Sequence, residues 1–71
     1  MFYNVKVINQ AGTVSQESWF REGSAGKAAV GCLNRFKRDT GDDGIAKVYA
    51  EKGGFVGAFK LLPCGWKAKR V

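Results

Sequence analysis

A single amphipathic segment, from Ser24 to about Asp39, constrains the fold of this 71-residue chain more than any other stretch. The Ser24 hydroxyl can cap the free backbone N–H groups at the start of a helix, and Gly41 allows the left-handed backbone that ends one. At about 100° per residue the apolar positions form one stripe, and the opposite side is basic. The sequence therefore predicts a helix that packs on a sheet through one face. The apolar stripe consists of Ala25, Ala28, Ala29, Cys32, Leu33 and Phe36.

The segments before and after the helix have the alternating apolar pattern and the turn residues that are typical of strands and hairpins. The turns fall at Asn9–Gly12 and Lys52–Gly54. We therefore expect the order ββαββ and an α+β fold, with one helix packed on a four-stranded, mainly antiparallel sheet. Residues 1–62 would form a single domain, followed by a short basic tail at 63–71. The predicted strands are Phe2–Ile8, Thr13–Arg21, Ile45–Glu51 and Phe55–Leu62.

The second predicted strand departs from regular alternation, because Trp19 points away from the face shared by Val14, Gln16, Ser18 and Phe20. This pattern indicates either a β-bulge or a sheet edge.

One helix covers only one face of a sheet, so several aromatic side chains must lie elsewhere. We expect them either to form a surface for a partner or a second copy, or to cover strand edges. The residues concerned are Tyr3, Trp19, Tyr49, Phe55, Phe59 and Trp66.

The net charge of +6 is unevenly distributed along the chain. The helix up to Arg38 has a charge of +4, residues 39–51 have −3, and residues 52–71 have +5 with no acid. Two basic blocks of this kind attract nucleic-acid phosphates or an acidic protein surface, although basic residues also serve solubility alone. The residues expected to contact a partner are Lys27, Arg35, Lys37, Arg38, Lys52, Trp66, Lys67, Lys69 and Arg70.

No segment has the residues that catalysis or metal binding requires. The chain has no histidine, and its two cysteines lack zinc-site spacing. In an EF-hand loop beginning at Asp39, two ligand positions would fall on Gly41 and Ala50. A P-loop at Gly23–Lys27 would require a hydroxyl where Ala28 stands. We therefore expect no enzyme activity, no metal site and no cofactor.

The segment Lys52–Phe59 resembles the basic, glycine-containing aromatic strand with which RNA-recognition domains stack bases, with the register displaced by one residue. Aromatic side chains on an open sheet flanked by lysines could stack single-stranded bases. The alternative is an ordinary Gly-Gly hairpin with Phe55 and Phe59 in the core, and this alternative is favoured.

The length and apolar pattern fit a small soluble domain. No apolar run reaches the roughly 20 residues that span a bilayer, and the start of the chain does not resemble a signal peptide. We therefore expect a cytoplasmic protein of the host cell without membrane association, a monomer or weak dimer, with Cys32 and Cys64 reduced.

The succession FYNVKVINQAGTVSQESWFREGSAGKAAV resembles the build of small phage-encoded inhibitors, including some anti-CRISPR proteins: hairpin, Gly-Ser break, Ala-rich helix and second hairpin. The resemblance covers about residues 2–62 and transfers no family residue to a position here. It implies a stoichiometric inhibitor of a host or defence complex that handles nucleic acid. That complex could itself be a nucleoprotein. The alternative function is direct binding of DNA or RNA through the sheet aromatics and the basic tail.

Overall fold

The computed structural model describes residues 2–71, so Met1, the first residue of the predicted domain, lies outside the described part. Five strands form one antiparallel sheet in the order β2-β1-β3-β4-β5, and the single helix packs on one face. The α+β class is confirmed. The elements are β1 (Phe2–Ile8), β2 (Val14–Arg21), α1 (Ala25–Thr40), β3 (Ile45–Ala50), β4 (Phe55–Leu61) and β5 (Ala68–Arg70).

Helix α1 begins and ends where the sequence predicts. The Ser24 hydroxyl accepts a hydrogen bond from the Lys27 N–H at 3.2 Å. Gly41 has φ of 76°, and its N–H donates to the Lys37 carbonyl at 2.7 Å. A capped helix start therefore accounts for the segment that partly matches a P-loop. The predicted stripe faces the sheet, with five residues fully buried: Ala28, Ala29, Cys32, Leu33 and Phe36.

The first hairpin contains the bulge that its irregular alternation indicates. Val7 pairs with Gln16 whereas Ile8 pairs with Val14, so Ser15 is the extra residue. Because a bulge exchanges the faces beyond it, Val14 lies on the face opposite Gln16. The predicted common face for Val14, Gln16, Ser18 and Phe20 is therefore wrong at Val14 alone.

A fifth strand corrects the prediction of a four-stranded sheet and a free tail. Ala68–Arg70 pairs antiparallel with β4, and Lys69 lies opposite Lys60. A three-residue strand is too short to show periodicity in the sequence, but the edge of β4 offers unpaired backbone groups to it. The Val71 N–H also donates to the Ala58 carbonyl at 2.9 Å.

The core lies between the apolar stripe of α1 and the inner face of the sheet. Val5, Val7 and Val48 are fully buried there, and Phe36 is the largest side chain that is less than 2% exposed. Of the six aromatic residues considered above, Tyr3 and Phe59 belong to this core, and Trp19, Phe55 and Trp66 are exposed. No helix in residues 2–71 is long and apolar enough to cross a membrane.

Candidate functional site

The sheet has an open face on the side away from α1, and a row of aromatic residues crosses it. Trp19 lies opposite Asn4, Asn4 opposite Tyr49, and Tyr49 opposite Phe55. Trp19 is 58% exposed and Phe55 60% exposed. We call Trp19, Tyr49 and Phe55 the aromatic row; it spans four neighbouring strands.

A second bulge places Phe55 in this row. Val48 pairs with Gly57 and Tyr49 with Phe55, so Val56 is the extra residue of β4. Under strict alternation Phe55 would face α1 together with Phe59, as the sequence interpretation favoured. The bulge reverses the face of Phe55 only, so the core prediction is right for Phe59, which is 6% exposed, and wrong for Phe55.

Two of the three rings in the row, Tyr49 and Phe55, contact each other. The Tyr49 and Phe55 rings meet edge to face, with centroids 5.5 Å apart and planes at 65°. The Lys6 ammonium lies 5.2 Å from the centre of the Tyr49 ring, in cation–π geometry. The row therefore presents partly ordered aromatic surface beside positive charge.

Lysines face one another across the open face. Lys6 lies opposite Lys47 in the β1–β3 pairing, and Lys60 opposite Lys69 in the β4–β5 pairing. Like charges directly opposite one another destabilise a sheet. In the described part of the chain, none of these four lysines forms a salt bridge. A bound polyanion would offset this repulsion.

Beside the row is a hollow with Asn4 in its lining. The Asn4 side chain is only 7% exposed, and its Nδ2 atom is buried without a hydrogen-bond partner. The hollow is lined by Asn4, Lys6, Glu17, Trp19, Tyr49, Ala50, Glu51, Lys52 and Gly53.

A second surface lies between α1 and the loop before β5. The Asn34 side-chain amide donates to the Gly65 carbonyl at 2.6 Å and ties this loop to the helix. Trp66, 74% exposed, borders the resulting groove together with Lys27 and Lys67. Residues far apart in the sequence, one from each basic block, therefore line one groove. We call it the helix–loop groove; its remaining lining residues are Glu22, Gly26, Val30, Gly31 and Ala68.

The nine residues expected to contact a partner are divided among several surfaces. Lys27, Trp66 and Lys67 line the helix–loop groove, Lys52 lines the Asn4 hollow, and Lys69 lies on the open face. The remaining four lie elsewhere: Arg35, Lys37 and Arg38 on the exposed side of α1, and Arg70 on the helix side of β5.

Two of these four form surface ion pairs, and a third packs against the sheet. Lys37 is 3.5 Å from Asp43, and Arg38 is 3.7 Å from Asp39. Arg70 donates to the Val56 carbonyl at 3.1 Å, and its guanidinium lies 5.2 Å from the centre of the Phe59 ring. These contacts give Arg70 a structural role at the edge of the core.

Sequence reasoning missed Asn4, Lys6, Lys47 and Lys60 as candidate site residues. Each stands at an outward position of a strand, so alternation alone places them on one side. Their grouping depends on strand order and register, which alternation does not give.

Within residues 2–71, no three cysteine, aspartate or glutamate side chains lie close enough together to hold a metal ion. Burial raises the pKa of the Cys32 thiol, and the nearby Arg35 charge offsets this only in part. Cys64 is exposed, and neither cysteine forms a disulfide.

The fold and its surfaces define a one-helix α+β protein with a basic, aromatic open sheet face. No protein-family model, curated protein or solved structure matches this chain. The resemblance to phage-encoded inhibitors therefore remains a prediction, and the functional argument depends on the geometry described above.

Proposed function

We propose that this chain is a non-enzymatic binding protein that holds single-stranded nucleic acid on the open face of its sheet. The observation that supports this most directly is the aromatic row, whose end members Trp19 and Phe55 are both more than half exposed. Exposed rings on a sheet offer stacking surfaces to bases, and stacking contributes about 1–3 kcal/mol per base.

The dimensions of the row suit an unpaired strand. Trp19 and Phe55 lie three strand spacings apart, which is about 14 Å at the usual ~4.8 Å between strands. Stacked nucleotides rise ~3.4 Å each, so more than one nucleotide fits between the two rings. The faces of bases in a duplex are covered by their neighbours, and we therefore expect a preference for single strands.

The charges of the same face suit a phosphate backbone. The two opposed lysine pairs, Lys6–Lys47 and Lys60–Lys69, both lie on one side of the row, in the direction from Asn4 to Ile8 along β1. Phosphates that approach them release counterions and relieve the repulsion within each pair. Base stacking and backbone neutralisation would thus act on one surface.

Fluorescence anisotropy with labelled single-stranded and duplex oligonucleotides at low salt tests this function. We expect Trp19→Ala and Phe55→Ala each to weaken single-strand binding by about 5- to 150-fold, the equivalent of one lost stacking contact. Lys27→Ala, on the opposite side of the molecule, is the matched control and should leave affinity within about twofold. Absence of binding at micromolar protein, or equal losses in all three variants, would refute the proposal.

The helix–loop groove supports a second candidate function, the stoichiometric inhibition of a host or defence complex that handles nucleic acid. The supporting observation is the Asn34–Gly65 hydrogen bond, which holds Trp66 and Lys67 beside Lys27. An exposed tryptophan between basic residues suits an acidic protein surface, since tryptophan anchors dominate many interfaces and complementary charge favours encounter.

Affinity capture from host-cell lysate separates the two functions. If the groove is the binding site, Trp66→Ala and Lys67→Glu abolish capture of a partner that Trp19→Ala still retains. The reverse pattern, with loss only in Trp19→Ala and sensitivity to nuclease, assigns the captured material to the open face and removes the groove from consideration.

A further inference from the structure

The hollow beside the aromatic row contains a buried polar group that the fold itself does not use. Asn4 belongs to β1, and its neighbours Tyr3 and Val5 both face the core, so the Asn4 side chain lies on the open face. It is nevertheless 7% exposed, because it lies between its strand partners Trp19 and Tyr49 rather than under α1.

The Nδ2 group of Asn4 lacks a hydrogen-bond partner. Nearly all buried polar side-chain atoms in proteins have one, so an exception on an exposed face requires an explanation. Leaving an amide donor unpaired in a poorly hydrated position destabilises the free protein. A ligand that supplies an acceptor at this point would satisfy the amide.

We propose that Asn4, Glu17 and Glu51 make this hollow a base-selective subsite, in which the Asn4 side-chain amide binds the edge of one unpaired adenine or cytosine. This inference rests on the proposed single-strand binding and adds a preference among bases to it. A primary amide places a donor beside an acceptor, and every unpaired base presents a complementary pair on its edge. The amide therefore anchors a base edge, and the groups beside Asn4 decide which base is preferred.

The surroundings of Asn4 favour an amino-bearing base over thymine. The carboxylates of Glu17 and Glu51 line the hollow and can accept hydrogen bonds from an amino group. Thymine has carbonyl oxygens where these bases have the amino group, and the carboxylates would repel them. Trp19 can stack on the base while Lys6 and Lys52, also in the lining, face its phosphate.

Competition binding with oligo(dA), oligo(dC) and oligo(dT) of equal length tests the subsite. We expect the wild-type chain to bind oligo(dA) or oligo(dC) about 5- to 150-fold more tightly than oligo(dT), as a bidentate base contact usually provides. In the double variant Glu17→Gln, Glu51→Gln this ratio should fall to about one, whereas Asn4→Ala should weaken the binding of all three oligonucleotides. Gln10→Ala removes an exposed side-chain amide from the β1–β2 turn and is the control; its ratio should equal that of the wild type.

The possible outcomes distinguish a failure of the subsite from a failure of the proposed single-strand binding. Tight binding of all three oligonucleotides with equal affinity, unaltered by Asn4→Ala, refutes the subsite and leaves single-strand binding intact. No binding of any oligonucleotide refutes both. A dimer in sedimentation that Trp19→Ala converts to monomer, without nucleic-acid binding, assigns the open face to a second copy of this chain and also refutes the subsite. A melting temperature of Asn4→Ala no lower than that of the wild type shows that its lower affinity is not a loss of folding.

Discussion

At the scale of single residues, several positions differ from what their residue type indicates. Asn4 is a polar residue buried on the open face of the sheet, and its Nδ2 group has no hydrogen-bond partner. Gly44, in contrast, occupies a site where no other side chain fits. Both features result from neighbours that are distant in the sequence.

Removing the Asn4 amide should not destabilise the protein. Asn4→Val replaces an unpaired buried amide by an apolar side chain with high strand propensity, so we expect an unchanged or higher melting temperature. Thermal melts followed by circular dichroism provide the measurement. A loss above about 1 kcal/mol would mean that Asn4 is paired in solution and would remove the basis for the subsite.

Gly44 should not tolerate a side chain, although the loop that contains it is mainly exposed. A Cβ atom there would lie 2.8 Å from Val7 Cγ1 and 3.0 Å from the Ile8 carbonyl oxygen, which is backbone and cannot move alone. We expect Gly44→Ala to destabilise the fold by about 1–3 kcal/mol. Gly54→Ala is the control, because a Cβ atom at Gly54 meets nothing within 4 Å. Equal denaturation midpoints for the two variants would contradict this.

The two cysteines should differ in reactivity. Cys64 is exposed, whereas Cys32 is buried between α1 and the sheet, and burial raises the pKa of its thiol. A raised pKa reduces the thiolate fraction at neutral pH, so alkylation of the native protein should modify Cys64 alone. Intact mass after iodoacetamide treatment would show one adduct natively and two in denaturant. Two rapid native adducts would contradict the burial of Cys32.

At the scale of elements, the amphipathic helix could be predicted almost completely, and the sheet only in part. The caps at Ser24 and Gly41 and the apolar stripe are local features, and the structure confirms all three. Strand β5 and the outward turn of Phe55 were missed. The former is three residues long and the latter depends on one extra residue in β4, so neither leaves a periodic signal.

Substitutions on the buried face of α1 should destabilise the protein, and substitutions on its exposed face should have little effect. Phe36→Ala should leave a cavity costing about 3–5 kcal/mol, and Ala29→Leu should overpack the contact with the sheet at about 1–3 kcal/mol. Lys27 and Arg38 lie on the exposed face. Lys27→Ala and Arg38→Ala should therefore each change the free energy of unfolding by less than about 0.5 kcal/mol. Urea titrations of the four variants test this. A tolerated Phe36→Ala beside an unfolded Arg38→Ala would mean that the helix faces the other way.

At the scale of the whole molecule, the distribution of charge over surfaces matters more than the net charge of +6. Several basic side chains of α1 and the segment before β5 border the helix–loop groove or the solvent side of the helix. The four lysines of the open face come from β1, β3, β4 and β5, and only the sheet collects them. The predicted partner residues accordingly belong to several surfaces rather than one.

The salt dependence of nucleic-acid binding should reflect how many lysines of the open face contact phosphates. If Lys6, Lys47, Lys60 and Lys69 each neutralise one phosphate, the logarithm of the affinity should fall with the logarithm of salt concentration with a slope of about −2.8, from about −0.7 per contact. Each single Lys→Gln change among them should reduce the slope by about 0.7. Lys27→Gln, in the helix–loop groove on the opposite side of the molecule, is the control and should not alter it. An unaltered slope in all four open-face variants would exclude this face as the phosphate contact.

The sequence by itself determined the class of fold, the helix with both of its ends and four of the five strands, and it indicated either a bulge or a sheet edge at β2, where the structure has both. These depend on local properties, namely side-chain periodicity, capping and turn chemistry. Only the tertiary structure decided which aromatic residues are exposed, which lysines lie together and that Asn4 is buried without a partner. Each of these depends on strand order and register. Paired residues such as Asn4 and Tyr49 become neighbours only when the sheet forms, and no pattern within either strand indicates the pairing.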